Sequence, residues 1–132
     1  MPRRRSPQPT EVELAILRVL WDRGPSTVRE VHAVLLGQRE RQETGYSTTL
    51  KMMQVMTDKG LLKRDESRRP QVYRPAVAED ETQRRMVDDL VRRVFGGSAR
   101  KLVLRAVESE HVTPDELAEI RRLLEQMEGD KP

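Results

Sequence analysis

The pattern of hydrophobic and polar positions at the start of the chain predicts two short helices. Each begins with a capping box, in which a threonine is followed three residues later by a glutamate. Thr10 and Glu13 form the first pattern, and Thr27 and Glu30 form the second, with Ser26 as an alternative cap. The two helices are therefore expected to begin directly after these threonines.

Apolar residues spaced three and four positions apart mark the buried face of each helix. The first helix is expected to end at Gly24–Pro25 and the second at Gly37, because glycine and proline interrupt a helical backbone. The polar run Gln38–Thr44 follows as the exit from the second helix. The predicted core residues are Val12, Ile16, Val19 and Leu20 in the first helix and Val28, Val31, Leu35 and Leu36 in the second.

A third helix over about Tyr46–Lys59 leads into a predicted two-stranded hairpin, with Gly60 as the helix stop. The strands are Leu61–Asp65 and Gln71–Pro75, and Glu66–Pro70 is the turn. The prolines that end the turn and the second strand favour the edge of a sheet over a central strand, because proline cannot donate a ladder hydrogen bond. Three short helices followed by a basic hairpin are typical of a winged helix-turn-helix domain, which we assign to residues 9–77.

Residues 78–132 predict three further helices. The first covers Asp80–Phe95, Gly96–Gly97 interrupts the chain, Ser98 caps the second helix, and Thr113–Pro114 begins the third. So short a segment cannot bury all of its apolar faces alone. A two-fold dimer would cover them, and the alternative is packing against the first domain. We therefore predict a dimerisation domain with an interface formed by Met86, Val87, Leu90, Val91, Val94, Leu102, Val103, Leu117, Ile120 and Leu124.

The amino-acid composition argues against several classes of protein and site. Hydrophobic and charged residues each make up 36% of the 132 residues, which suits small helical units better than a large enzyme core. The chain has only one Trp, two Tyr and one Phe, so a surface that stacks the bases of single-stranded nucleic acid is poorly supported. Without cysteine, the chain has no disulfide, thiolate metal site or thiol nucleophile. With no long apolar run and no signal peptide, a cytoplasmic protein is expected. Separately, we expect neither a cofactor nor a small-molecule ligand.

Charge is distributed unevenly along the chain. Residues 1–77 contain 15 Lys and Arg against 9 Asp and Glu, whereas residues 78–132 contain 10 against 13. This asymmetry predicts a basic half that binds a polyanion such as double-stranded DNA. The alternative is a helical protein–protein adaptor whose basic face meets an acidic protein. Residues 1–8, with three consecutive arginines, are predicted to be a disordered basic arm.

The third helix has one apolar and one polar face. The predicted core face is Thr49, Met52, Met53 and Met56. The opposite face carries Ser47, Lys51, Gln54 and Asp58, with Thr48, Val55, Leu50 and Thr57 at the flanks. A lysine can donate to guanine or phosphate, a glutamine can pair with adenine, and a leucine can contact the thymine methyl group. The polar face is therefore a candidate base-reading surface.

Two features beside this helix extend the candidate DNA surface. The hydroxyl of Tyr46 could donate to a phosphate, or its ring could pack as a staple, and the sequence leaves both roles open. Arg68 and Arg69 lie at the predicted wing tip, where they would follow the backbone or enter the minor groove. The full set of predicted DNA-binding residues is Tyr46, Ser47, Thr48, Leu50, Lys51, Gln54, Arg68 and Arg69.

Catalytic and metal chemistry have no sequence support. The only histidines, His32 and His111, fall in different predicted domains. No nucleophile elbow, zinc-peptidase motif or glycine-rich phosphate loop occurs. We therefore predict a protein that is not an enzyme and binds no metal.

Three segments resemble the penicillinase repressor family of bacterial transcription factors (BlaI, MecI and CopY). They are T-E-V-E-L-A-I-L-R-V-L-W, F-G-G-S-A-R-K-L-V-L and, most specifically, Y-S-T-T-L-K-x-M-Q-x-M-T-x-K-G-L-x-x-R-D-E-S-R-R-P-x-V-Y. The resemblance covers about residues 8–128.

The resemblance implies a repressor that binds an inverted-repeat operator as a homodimer. It also implies a membrane-embedded sensor metalloprotease as a partner, which inactivates the repressor by cleavage in its C-terminal domain. By position in the L-V-L motif, the cleavage would fall near Arg105 and Ala106. The copper-responsive branch senses its metal through a C-terminal cysteine motif, and this chain has no cysteine.

Overall fold

A computed structural model describes residues 8–38, 45–109 and 112–130 of the chain. Three sequence predictions fall on other residues: the basic arm apart from Gln8, the exit from the second helix apart from Gln38, and His111. The chain divides into two compact units, with the boundary between Arg84 and Arg85.

The described residues form six helices and three short strands, a mainly helical fold with a small antiparallel sheet, as predicted. In chain order the elements are α1 (Glu11–Arg23), β1 (Ser26–Thr27), α2 (Val28–Leu36), α3 (Tyr46–Asp58), β2 (Leu62–Asp65), β3 (Val72–Pro75), α4 (Glu79–Arg93), α5 (Ala99–Glu108) and α6 (Pro114–Gly129).

The helix starts follow the capping residues in the sequence. In α1 the Glu13 amide donates to the Thr10 hydroxyl at 3.2 Å, and the Thr10 amide donates to the Glu13 carboxylate at 2.9 Å. The same reciprocal pair starts α2 at Thr27 and α6 at Thr113. The alternative cap Ser26 is not used: Thr27 is the N-cap of α2, and the Ser26 hydroxyl donates to the Gly24 carbonyl oxygen instead. Each capping box is confirmed.

The sheet corrects the prediction of a two-stranded hairpin. Its strand order is β1-β3-β2, so the returning strand of the wing is central. Pro75 is tolerated because it pairs only with Leu62 of β2 and lies beyond the two residues of β1, which pair with Val72 and Tyr73. A two-residue strand has no periodicity from which the sequence could have predicted it.

The core of the first unit lies between α1, α2, α3 and the sheet. Two predicted core residues are exposed instead: Val12 is 37% exposed and Leu36 is 41% exposed. Val12 lies in the first turn of α1 and Leu36 at the last position of α2. Met52 is half-buried at the edge of this core. The buried apolar residues are Ala15, Ile16, Leu17, Val19, Leu20, Val28, Val31, Leu35, Met53, Met56, Leu61, Leu62 and Tyr73.

The helices α4, α5 and α6, which include all helical residues of the second unit, leave their apolar residues largely uncovered. Helices α5 and α6 contain no buried residue, and α4 buries only Thr82. Within the described part of the chain, no helix is long and apolar enough to cross a bilayer. The large apolar side chains that stay exposed in these helices and directly after α4 are Val87, Leu90, Val94, Val103, Leu104, Leu117, Leu123, Leu124 and Met127.

An ion pair between a buried carboxylate and a partly exposed lysine joins the start of α1 to the end of α3. Glu13 is 2% exposed, and its carboxylate accepts from the Lys59 ammonium group at 2.9 Å as well as from the Thr10 amide. Burial raises the pKa of Glu13, but the hydrogen bonds from Lys59 and Thr10 together lower it further, so the pKa lies below its ordinary value. The carboxylate is therefore charged at neutral pH and fixes the C-terminal end of α3.

We expect Glu13→Gln to lower the free energy of unfolding by about 1–3 kcal/mol at pH 7, because the Lys59 ammonium group loses its charged acceptor. The amide oxygen of the glutamine can still accept from Thr10. The stabilisation is complete above the pKa of an unfolded glutamate and is lost as the pH falls through the lowered pKa of the folded state. Unfolding followed by Trp21 fluorescence across this range, at one protein concentration, measures the effect.

Asp22→Asn, at an exposed carboxylate of the same helix, is the matched control and should leave the pH dependence of stability unchanged. A Glu13→Gln protein whose stability follows the wild type at every pH would show that the ion pair does not stabilise the fold.

Candidate nucleic-acid interface

Helix α3 turns a polar face to solvent and an apolar face to the core. Met53 and Met56 are fully buried and Thr49 is 1% exposed, as predicted. The residues of the opposite face, which the structure leaves exposed, are Ser47, Lys51, Gln54 and Asp58. Because Ser47, Lys51 and Gln54 lie along the first three turns, a hydrogen-bonding strip begins at the N-terminal end of the helix.

The flanks of this strip differ from one another. Thr48 is exposed, whereas Leu50 is half-buried and packs against the core. Thr57 is also half-buried, and its hydroxyl donates to the Met53 carbonyl oxygen at 2.8 Å. Part of the Leu50 side chain is therefore used in packing, and less of it faces outward than the sequence prediction assumed.

A cluster of side chains connects α2 to the first turn of α3. The Arg29 guanidinium lies 5.7 Å from the centroid of the Tyr46 ring. The His32 ring meets Tyr46 edge to face, with 5.6 Å between centroids and an angle of 87°. His32 Nδ1 lies 3.0 Å from the hydroxyl of buried Thr49. Arg29 was not among the residues predicted from the sequence and His32 had no predicted role, since contacts between two helices leave no local pattern.

The turn between β2 and β3, at the tip of the wing, contains Arg68 and Arg69, and Asp65 orients Arg68. Asp65 accepts from the Ser67 amide at 3.0 Å and from the Ser67 hydroxyl, and its other oxygen lies 3.6 Å from Arg68 Nε. The hydrogen bonds from Ser67 lower the pKa of Asp65. Arg69 is exposed in the same turn. The turn therefore presents two cations, one of which is oriented by an anionic neighbour.

The outward side of the wing carries two more cations that the sequence analysis missed. Lys63 and Arg74 are exposed and stand directly opposite each other in the β2–β3 register. Like charges in opposed positions disfavour strand pairing, so this arrangement suits a surface that meets a polyanion. The signal was present in the alternation of the strands, because the neighbours Leu62 and Tyr73 point inward.

The predicted dimer residues and the predicted cleavage residues lie in the second unit. Met86, Val91, Leu102 and Ile120 are half-buried, and the remaining dimer candidates are exposed. Arg105 and Ala106 are exposed within α5, where Arg105 pairs with Glu108 at 2.7 Å. The described residues thus leave both sets accessible in a single chain.

The chain matches the family model described as penicillinase repressor over residues 9–126. It is 32% identical over 127 residues to the transcriptional regulator BlaI of two Mycobacterium tuberculosis strains, covering 92% of this chain and 88% of the relative. It is 23% identical over 126 residues to a penicillinase repressor of Bacillus licheniformis, covering 95% of each chain. This protein therefore belongs to the penicillinase repressor family, whose model matches almost the whole chain.

Proposed function

We propose that this protein is a transcriptional repressor that binds a specific inverted-repeat DNA operator as a homodimer. The observation that carries the proposal is the exposed strip of Ser47, Lys51 and Gln54 on a helix whose other face is buried. Support comes from the relatives, one named a transcriptional regulator and one a penicillinase repressor.

In this proposal α3 enters the major groove with its N-terminal end first, as recognition helices of helix-turn-helix proteins do. Lys51 donates to guanine or to a phosphate, and Gln54 forms a bidentate pair with adenine. Ser47 and Thr48 contact phosphates or base edges at the entry to the groove. Asp58 lies at the C-terminal end of the strip, which keeps its negative charge away from the DNA.

The β2–β3 hairpin, which is the wing, supplies contacts that do not depend on the DNA sequence. Arg68 and Arg69 at the turn, with Lys63 and Arg74 on the outward side of the strands, neutralise phosphates beside the groove. Such contacts release counterions, so the affinity falls steeply with salt. The wing therefore adds affinity and orientation, while α3 supplies the base preference.

The exposed apolar side chains of α4, α5 and α6 form the homodimer interface in this proposal. A two-fold dimer places two copies of α3 about 34 Å apart or a multiple of that distance, which matches an inverted repeat. Each bound protomer then delivers its partner to the second half-site at a high effective concentration. Occupancy of a promoter, with no catalysis, is sufficient for repression.

Release follows from loss of the dimer. Cleavage near Arg105 and Ala106 by a membrane-embedded sensor metalloprotease would divide α5 and weaken the interface. Because these residues are helical, α5 must open locally before a protease can bind the backbone. The affinity for the full operator then falls towards that of a single half-site.

We expect Lys51→Ala and Gln54→Ala each to weaken binding to the operator by about 1–3 kcal/mol without lowering the melting temperature, because each removes a DNA contact at a solvent-exposed position. The measurement is a fluorescence anisotropy titration with DNA from upstream of the protein's own gene. A scrambled duplex is titrated in parallel, at two salt concentrations. Lys101→Ala and Gln83→Ala make the same changes at exposed helical positions of α5 and α4 and should bind as the wild type does.

Wild-type affinity for both α3 variants would contradict this orientation of the helix. Equal and weak binding of the wild-type protein to the two duplexes would instead favour a protein–protein adaptor that uses the same basic face.

We expect Val94→Lys to convert the dimer to a monomer in light scattering and to weaken operator binding by roughly 100-fold, the gain that linked binding sites typically provide. Val94 is 64% exposed in the single chain, so the substitution places a charge in the interface without disturbing a monomer core. A lysine after the last turn of α4 favours the helix dipole, so loss of the helix does not explain the effect.

Leu36→Lys, at a 41% exposed leucine that ends α2, is the matched control and should remain dimeric. A Val94→Lys protein that stays dimeric and binds the operator normally would exclude this face from the interface.

A further inference from the structure

A cationic side chain on α2 is held against an aromatic ring at the start of α3. The Arg29 guanidinium, 5.7 Å from the Tyr46 centroid, lies within the range of an attractive cation–π contact. Arg29 is exposed, and Tyr46 is 42% exposed. The pair is therefore available to a ligand from solvent.

Contacts that begin at a buried residue of α3 hold the Tyr46 ring in position. His32 packs perpendicular to it, and His32 Nδ1 contacts the hydroxyl of Thr49, which is almost fully buried. The Thr49 hydroxyl also lies 3.4 Å from the Gly45 carbonyl oxygen, to which it donates. This series of contacts from Thr49 through His32 to Tyr46 limits the rotation of the ring and so provides a defined surface for Arg29.

The charge of Arg29 is not used inside the described part of the chain, where no carboxylate lies within ion-pair distance of it. The adjacent Glu30 is already engaged, since its carboxylate accepts from the Thr27 amide at 2.9 Å and from Arg23 at 3.2 Å. These contacts also lower the pKa of Glu30, with the Thr27 hydrogen bond as the largest cause. A cation that is oriented by a ring, and that has no counterion among the described residues, is suited to bind an anion.

We propose that Arg29 binds a phosphate of the DNA backbone and that Tyr46 is a positioning residue that acts through its ring. The inference rests on the proposed DNA-binding function. In a helix-turn-helix domain the helix that precedes the recognition helix crosses the DNA backbone, and Arg29 lies in the first turn of that helix. Of the two roles that the sequence left open for Tyr46, packing is the one assigned here.

A phosphate contact has a signature that base contacts lack. We expect Arg29→Ala to weaken binding to the upstream DNA and to the scrambled duplex by the same factor. The slope of log affinity against log salt should fall by about one for each bound protomer. Arg18→Ala, which removes an exposed arginine from α1, controls for net charge and should leave the slope unchanged.

Variants of Tyr46 separate the ring from the hydroxyl. Tyr46→Phe keeps the surface for Arg29 and should bind DNA as the wild type does. Tyr46→Leu should lose about as much affinity as Arg29→Ala, and the double variant should lose no more than either single variant. Melting temperatures of all variants are compared with the wild type.

The contact can also be tested on the unaltered protein. Duplexes in which single phosphates are replaced by neutral methylphosphonates should include one position that weakens the wild type but not Arg29→Ala. Absence of any such position, or an unchanged salt slope in Arg29→Ala, would overturn the assignment of Arg29. A loss of binding in Tyr46→Phe would overturn the role of the ring.

These outcomes differ from failure of the proposed function. If the wild-type protein binds no duplex, both proposals are wrong. If it binds its upstream DNA and responds to Lys51→Ala and Gln54→Ala, but Arg29→Ala behaves as Arg18→Ala does, only the phosphate contact is wrong.

Discussion

The burial of one face of α3 determines which side chains that helix presents to solvent. Met53 and Met56 are fully buried and Thr49 is nearly so. Because each residue of an α-helix is rotated by about 100° from the one before it, fixing these three positions turns Lys51 and Gln54 outward. Rotation of the helix by one residue would push polar side chains into an apolar core at a cost of several kcal/mol, roughly. Hydrophobic packing therefore sets the candidate reading face.

Polar contacts add geometric constraints to the packing of α3, because hydrogen bonds and ion pairs need defined distances and directions. Two such contacts involve α3 and the residue that caps its C-terminal end. Near the N-terminal end of the helix, His32 of α2 meets Thr49, and at the other end Glu13 of α1 accepts from Lys59. Both partners of α3 belong to the helices that pack against it, so the three helices keep one arrangement. Under the proposed function, this fixed arrangement allows the exposed face of α3 to match the spacing of base pairs.

The two units differ in how far they bury their apolar residues. In the first unit the three helices and the sheet enclose a core that includes Tyr73 and Leu62. In the second unit Val94, Leu124 and Met127 remain about half or more exposed. Exposed apolar surface of this kind is typical of an association site. Under the proposed function, the same surface would link DNA affinity to assembly and give a protease a means of control.

Local signals in the sequence determined the helix starts and the two faces of α3. The capping boxes at Thr10, Thr27 and Thr113 depend only on residues within one turn, and the apolar spacing of a helix depends only on its period. The tertiary structure alone decided that Ser26 and Thr27 form a third strand, that Glu13 reaches Lys59, and that Arg29 lies beside Tyr46. These contacts join segments that are far apart along the chain, so no pattern among neighbouring residues predicts them.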